Sequence, residues 1–317
     1  MLVLGDLMID EYVHAATRRA DDEGGSPIVL AERHQRYLGG AGHAATIVAA
    51  LGGRPTVVGI IGDDEAGRAP RDRLARLHPD TAEALIVVPG RPTTLKSRLL
   101  ADGALVVRVD TEDVSPVDAA IEQTVRESCE RLVSSVDACM VSDYDKGAAP
   151  PDVCRSVIEA ATAAHVPVIV DPKGSDLSFY VGATVVTPNA RELFDAAGED
   201  AAPDADRVER IAEVGRRVAA RLPGTNVVVT ADRDGMILVD SAGLVAHVPS
   251  DATVVVDPTG AGDAVTATLA VALGSGLSVL DAVLVASRVA ATVVARRGTA
   301  PIDAAEMVER LGSSRSG

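Results

Sequence analysis

Aromatic residues and positive charge are both scarce. The 317 residues include no Trp, two Phe and four Tyr, and 30 Lys and Arg stand against 46 Asp and Glu, for a formal charge of −16. A nucleic-acid binder needs a basic footprint to displace phosphate counterions, and a single-strand binder adds aromatic platforms for stacking. Neither supply is present. No run approaches the ~18 uninterrupted apolar residues of a membrane span. The N-terminal MLVLGDLMIDEY lacks a basic region and meets Asp6 early, so it does not read as a signal peptide. Cys129, Cys139 and Cys154 form no CxxC pair, and small buried thiols in a reducing cytoplasm are expected. The six His form no HExxH or HxxxH, which argues against a zinc site. GxxxxGK[ST] is absent too, excluding a P-loop kinase. These exclusions leave an acidic cytoplasmic α/β protein, expected to contact neither nucleic acid nor membrane.

What is present is a rhythm. Apolar runs at Leu2 to Gly5, Thr56 to Ile60, Asp137 to Val141, Val166 to Val170, Thr184 to Thr187 and Asn226 to Thr230 are continuous rather than alternating, as in strands buried on both faces. Stretches with helical spacing lie between them at 116–134, 152–165 and 204–221. Strand, helix, strand in repetition predicts a doubly wound, mostly parallel sheet. Ser115-Pro116 reads as a helix start, Ser as N-cap and Pro at the first helical position. Residues 11–36 and 92–110 break the rhythm, the second with a hairpin signal at Asp102-Gly103. Both read as antiparallel pieces forming a lid over the carboxyl edge. With no repeat or linker, residues 1–312 form one domain, and 313–317 (SSRSG, after Gly312) a flexible tail.

The most informative string is Val254-Val-Val-Asp-Pro-Thr-Gly-Ala-Gly-Asp263, read as a strand ending at Asp257, a Gly-rich turn, and a long Ala-rich helix opening at about Asp263. Amides converging at such a helix start, aided by the macrodipole, suit an anion. Ordinary capping would also choose an acid there.

DPTGAGD resembles the C-terminal signature of the PfkB, or ribokinase-like, carbohydrate kinases. The resemblance implies a ribokinase-like fold: a doubly wound, mostly parallel sheet with helices on both faces and a small antiparallel β lid. It further implies ATP and Mg²⁺, with Asp263 as general base and Gly260, Ala261 and Gly262 as an anion hole. It runs along most of the chain. GDLMID (5–10) is similar to the family's first-strand segment and suggests that Asp10 holds sugar hydroxyls. TPNARE (187–192) resembles TPNxxE, implying that Asn189 and Glu192 organise Mg²⁺ indirectly along with the phosphates; a capping box explains the same pair. GGAGHAA (39–45) resembles the family's Gly-Gly motif, placing Gly39, Gly40 and His43 at the sugar, with His43 where the family has Asn. The same residues also spell a Rossmann-like GxGxxA, but the ERHQRYL before them does not read as a buried strand.

TTLKSR, VVRVDTED, VSDYDKG and VDPKGSD look most like kinases of D-glycero-β-D-manno-heptose 7-phosphate, which act on the anomeric hydroxyl. Lys96, Arg98 and Arg108 on the predicted hairpin then meet the sugar phosphate, and Lys173 lies near the nucleotide phosphates or the acceptor. Solvated edge-strand charge is the plainer reading of the hairpin residues. Asp143 would contact sugar or metal, unless it only makes an Asx-turn. Thr230 and Gly235 flank the nucleotide loop, and Ser287-Arg288 falls where relatives keep small or amide residues near the adenine. Alternatives are a PfkB-type kinase of another sugar or sugar phosphate, a non-catalytic sugar sensor, or a dinucleotide enzyme. A homodimer through the lid is a further implication of the resemblance. An acidic chain binding two phosphorylated ligands should concentrate positive potential at its pocket, in the 260–263 turn, Lys96, Arg98, Arg108 and Lys173; a pocket as acidic as the surface would count against a phosphosugar.

Overall fold

In the computed structural model, which describes residues 1–20, 27–200 and 206–312, the chain starts with a buried strand at the centre of the main sheet, β1 (Leu2–Gly5). It then leaves that sheet for a long hairpin, β2 (Leu7–Ala20) and β3 (Pro27–Gly40). Helix α1 (Ala41–Ala50) returns it to β4 (Thr56–Gly62), α2 (Glu65–Leu77) and β5 (Leu85–Val88). A second excursion makes β6 (Thr94–Ala101) and β7 (Ala104–Thr111). Then α3 (Ala119–Val133), β8 (Cys139–Ser142), α4 (Pro151–Ala163), β9 (Val168–Asp171), β10 (Val185–Val186), α5 (Ala190–Ala197), α6 (Arg207–Ala219) and β11 (Asn226–Thr230) alternate. The hairpin strands β12 (Met236–Val239) and β13 (Val245–Val248) and the helices α7 (Ala261–Gly274), α8 (Val279–Val294) and α9 (Ala304–Gly312) complete the order.

The main sheet runs β13-β12-β11-β10-β9-β8-β1-β4-β5, parallel from β11 to β5, with β12 and β13 antiparallel at one edge. Successive side chains of a strand point to opposite faces, and here both faces are apolar. Leu2 and Leu4 join the core under α3 to α6, while Val3 joins the core under α1, α7 and α8. Val168 and Val170 against Ile169, and Val227 and Val229 against Val228, divide in the same way. The three cysteines are buried in the first core, as small apolar residues would be.

The excursions form a second, four-stranded sheet, β3-β2-β6-β7. It is mixed rather than purely antiparallel, because β2 and β6 come from separate excursions and pair parallel, Asp10 opposite Lys96. The Asp102-Gly103 turn is as expected. Two other local expectations fail. Helix α3 starts at Ala119, capped by Asp118, whose carboxylate accepts the Ile121 amide at 2.9 Å, and not at Ser115-Pro116. Ser115 instead donates through its hydroxyl to Asp113. No strand precedes DPTGAGD: β13 ends at Val248, and Val254, Val255 and Val256 are 59%, 63% and 52% exposed. Residues 21–26 of the expected lid, 204 and 205 of the expected helical stretch at 204–221, and the expected tail at 313–317 lie outside the described residues.

Candidate active site

Chain geometry alone brings the candidate residues together. In a parallel sheet the strand carboxyl ends share one edge, where open α/β sheets bind ligands. Asp6 follows β1, Asp143 and Tyr144 follow β8, Asp171 closes β9 ahead of Lys173, Asn189 follows β10, and Thr230 closes β11. A cavity of about 730 Å³ at this edge is lined by Asp143, Tyr144, Asp171, Lys173, Asn189, Glu192, Thr230 and Gly235, together with Ala261 and Gly262. Its far wall is apolar, with Val255, Ala290 and Val294, and includes Ser287.

Asp263 sits in the first turn of α7, 2% exposed. Burial, reinforced by Asp10, pushes its carboxyl up to about 8 against the hydrogen bond it accepts at Oδ1 from the Tyr144 hydroxyl at 3.0 Å. No side chain caps α7, whose N-cap Gly260 has φ 83°, and the Ala261 amide is taken by the Pro258 carbonyl at 3.1 Å. A carboxyl held in this range is poised to exchange a proton near neutral pH.

His43 is placed otherwise than expected. It is fully buried behind this turn, its Nε2 2.6 Å from where a Gly260 Cβ would stand, so it backs the loop instead of facing a sugar. Burial pushes it down to about 4, so it is neutral. Gly260 is therefore fixed twice, by its positive φ and by the imidazole against it. The α1 start gives no dinucleotide site: it follows a lid strand, and its Ala41 amide is donated to the Asp6 carbonyl at 3.0 Å.

Lid registry sets the opposite wall. Tyr37, Asp10, Lys96 and Asp110 form one row across the four strands, with Gln35, Tyr12, Arg98 and Arg108 in a second row. Asp10 is 3% exposed and accepts from Arg98 at 2.6 Å. Gly39 packs on it: a Cβ there would stand 2.5 Å from Asp10 Oδ2. Gly40 caps α1 against the Asp6 carbonyl and the Tyr144 ring.

The expected concentration of positive potential is only partly present. Lys96 pairs with Asp110 and Glu112, Arg108 with Asp110, Arg98 with Asp10, and Lys173 with Glu192. In the edge cavity Asp143, Asp171 and Glu192 supply the acidic groups. Burial, the Asp263 charge and that of Glu192 push Asp171 well above its ordinary range, while burial lifts Asp143 to about 6. A surplus remains in one place, where the cations Lys96, Arg108 and Lys146 share the two carboxylates Asp110 and Glu112. Burial would raise Glu112, but Lys146 and Lys96 outweigh it and hold the carboxyl below its usual range.

Asn189 and Glu192 form a complete capping box on α5, and Glu192 also takes Lys173 at 3.2 Å. Asp143 accepts from the Tyr180 hydroxyl at 2.6 Å and from the Asp145 amide at 2.8 Å, so the Asx-turn and the cavity position coexist. The Thr230 amide donates to the Pro188 carbonyl, and Gly235 turns the β11–β12 hairpin.

Three residues of the site escaped the sequence reading. Asp6, 1% exposed, accepts the amides of Tyr144, Lys146 and Ala148 at 2.8, 3.1 and 2.9 Å and so shapes the loop after β8. Tyr144 and Lys146 are carried on that loop. The available signal was position: each follows closely on a buried strand end at the ligand-binding edge.

The family model for pfkB family carbohydrate kinases matches residues 1–305. The bifunctional protein HldE of Paramagnetospirillum magneticum is 39% identical over 98% of this chain, and that of Caulobacter sp. strain K31 is 42% identical over 97%. The chain spans 63% and 62% of the length of these two relatives. Among solved structures, Arabidopsis thaliana ribokinase complexed with ribose and ATP superposes with a TM-score of 0.73 at 22% identity, covering 98% of this chain and 97% of that one. Ribokinase of Cryptococcus neoformans in complex with ADP gives 0.71 at 18% identity, covering 98% of each chain. At such identities the likeness is one of fold.

Proposed function

The chain belongs to the pfkB family of carbohydrate kinases, and from that membership we propose that it transfers the γ-phosphate of ATP to the anomeric O1 of D-glycero-β-D-manno-heptose 7-phosphate, giving the 1,7-bisphosphate. The observation that carries the chemistry is Asp263, a buried carboxylate in the first turn of α7 beside the edge cavity. Asp263 takes the proton of the acceptor hydroxyl as that oxygen bonds to the γ-phosphorus and the bond to the ADP oxygen breaks. The turn at Gly260 and Gly262 faces the charge on the transferred group, with the helix dipole behind it, while the Ala261 amide stays committed to the Pro258 carbonyl. Asp10 orients the sugar, and the lid above it excludes the water that would otherwise be phosphorylated.

Glu192 and Asn189, next to the acidic Asp171, offer hard oxygen donors that suit Mg²⁺ held through water. Bound there, the cation would neutralise charge on the nucleotide phosphates. The apolar wall of Val255, Ala290 and Val294 suits an adenine. A cytoplasmic setting fits an ATP consumer with three buried thiols.

For the substrate, the support is the HldE likeness together with the surplus of Lys96, Lys146 and Arg108 on the lid. A sugar without a phosphate is the second reading, favoured by the carboxylate partner on every one of these cations. The test is an ADP-release panel of heptose 7-phosphate, other sugar phosphates and free sugars, with mass analysis of the product. Preference for a free sugar overturns the first reading, and absence of sugar-dependent ADP release overturns both.

The partner proposed for the lid is a second copy. Val107 and Val109 share one face of edge strand β7 and are 45% and 57% exposed, a pair that would be covered by its own symmetry mate. Sedimentation of wild type and Val107→Lys checks it: a dimer that becomes a monomer is expected, and a monomeric wild type refutes it.

A further inference from the structure

The loop after β8 brings a phenol to the proposed base. Tyr144 donates its hydroxyl to Asp263 Oδ1 at 3.0 Å. The loop is not free to drift, since the buried Asp6 carboxylate accepts three of its amides, that of Tyr144 among them. The ring also packs against the Gly40 backbone, 3.5 Å from where a Cβ would stand. The hydroxyl thus sits among three carboxylates, those of Asp263, Asp171 and Asp10, and hydrogen-bonds the first.

We propose that Tyr144 is the positioning residue of the phosphoryl-transfer step, holding Oδ1 of Asp263 so that Oδ2 meets the acceptor hydroxyl and keeping the carboxylate available in its ionised form. This rests on the reading of Asp263 as the base. A neutral donor is what the location demands. Burial and the nearby charge of Asp10 both favour a protonated Asp263. The cations in this region are committed elsewhere, Arg98 to Asp10 and Lys173 to Glu192. A lysine in place of Tyr144 would hold Asp263 in an ion pair and cut its basicity much further, whereas a phenol stabilises the anion modestly and retains its own proton. Burial and the same carboxylates push the Tyr144 hydroxyl well above its ordinary range, so it remains a donor throughout the working pH range. In the transfer itself the proton passes from the sugar hydroxyl to Asp263, and Tyr144 gives none up.

The experiment compares wild type, Tyr144→Phe and a variant with 3-fluorotyrosine at position 144, a stronger donor of nearly the same size. The Asp263 carboxyl carbon is followed by ¹³C NMR, assigned as the resonance missing in Asp263→Asn. The expected result is a titration midpoint that moves up by about one pH unit in Tyr144→Phe, a tenfold change in the protonation equilibrium, and moves down with fluorotyrosine. On the sugar that wild type turns over fastest, the acid limb of kcat/KM should move with it, so that Tyr144→Phe is about tenfold slower at pH 7 and recovers at high pH. An unmoved midpoint, or a rate loss equal at every pH, overturns the proposal. The two readings separate cleanly. If Asp263→Asn keeps its turnover, the base assignment fails, while the carboxyl titration still reports whether Tyr144 governs that group.

Discussion

Arg98 reaches from β6 to Asp10 on β2 at 2.6 Å, and its guanidinium lies 5.2 Å from the ring centroid of Tyr12 on the same strand. Tyr12 in turn extends its hydroxyl to Asp257 at 3.4 Å, and Asp257 accepts the Gly298 amide at 2.9 Å. The lid is therefore tied to the turn that carries Asp263 through one chain of polar contacts. Both side chains of the ion pair are largely buried, so removing one partner strands the other. Arg98→Met is expected to cost about 3–5 kcal/mol of stability. Adding Asp10→Asn should recover part of it, because the uncompensated buried charge is then gone. Urea unfolding of the two single variants and the double variant checks this; additive losses would mean that the pair is not coupled.

Gly39→Ala tests the sugar side without touching charge. Its Cβ would stand 2.5 Å from Asp10 Oδ2 and 2.7 Å from Met8 Cγ, both on the neighbouring strand, so Asp10 must move. Displacement of a positioning group by about 1 Å is enough to lose on the order of 100-fold in rate. The loss should fall on kcat/KM for the sugar, while ATP binding measured by calorimetry is unchanged. An equal loss on both ligands would place Gly39 in the fold and not in the sugar site.

What could be read from the sequence was whatever is written in one stretch of chain. DPTGAGD and TPNARE carry their own turn and helix start, so both helix openings were visible as strings. The valines at 254–256 misled because an apolar run reads as a buried strand whether or not a neighbour exists, and the sheet had already ended with the β12–β13 hairpin. Ser115-Pro116 was outbid as a helix start by Asp118, an equally good cap three residues later. His43 was assigned from its motif, but its burial depends on α7 packing over α1, a contact between distant segments. Tyr144 and Asp6 were missed for the same reason. Their partners are 119 and 138 residues away, beyond any local pattern.

Asp263 should trade stability for activity. Its folded carboxyl is raised from an ordinary value near 4 to about 8, mainly by burial. The folded state then binds the proton more tightly than the unfolded one, so this group's contribution is complete below pH ~4 and is lost as pH rises through ~8. Asp263→Asn removes that loss. The variant should match wild type in stability at pH 4–5 and exceed it by a few kcal/mol, in order of magnitude, at pH 9. It should also keep ATP binding and lose roughly 10²–10⁴-fold in kcat, the usual yield of a positioned base. Urea melts across pH and initial rates read the two halves separately. A stability difference that does not change with pH would show that Asp263 is ionised throughout.

Glu112 offers the sharpest distinction between a phosphorylated and a neutral sugar. It accepts from Lys146 at 2.9 Å and from Lys96 at 3.4 Å, and thus holds two cations that an incoming phosphate would need. If the phosphate seats there, it competes with Glu112, and Glu112→Gln should lower the KM for the phosphosugar by releasing both lysines. Lys146→Met should raise the same KM by about 10- to 100-fold, since a hydrogen bond to a charged group contributes about 1.5–3 kcal/mol. Neither change should alter the KM for ATP, whose proposed site lies across the turn at Asn189 and Glu192. For a neutral sugar the signs differ. Glu112→Gln then merely loosens the hairpin, and both variants raise KM slightly or leave it unchanged. Opposite responses of the two variants on one substrate are what a phosphate produces and what a lid defect does not.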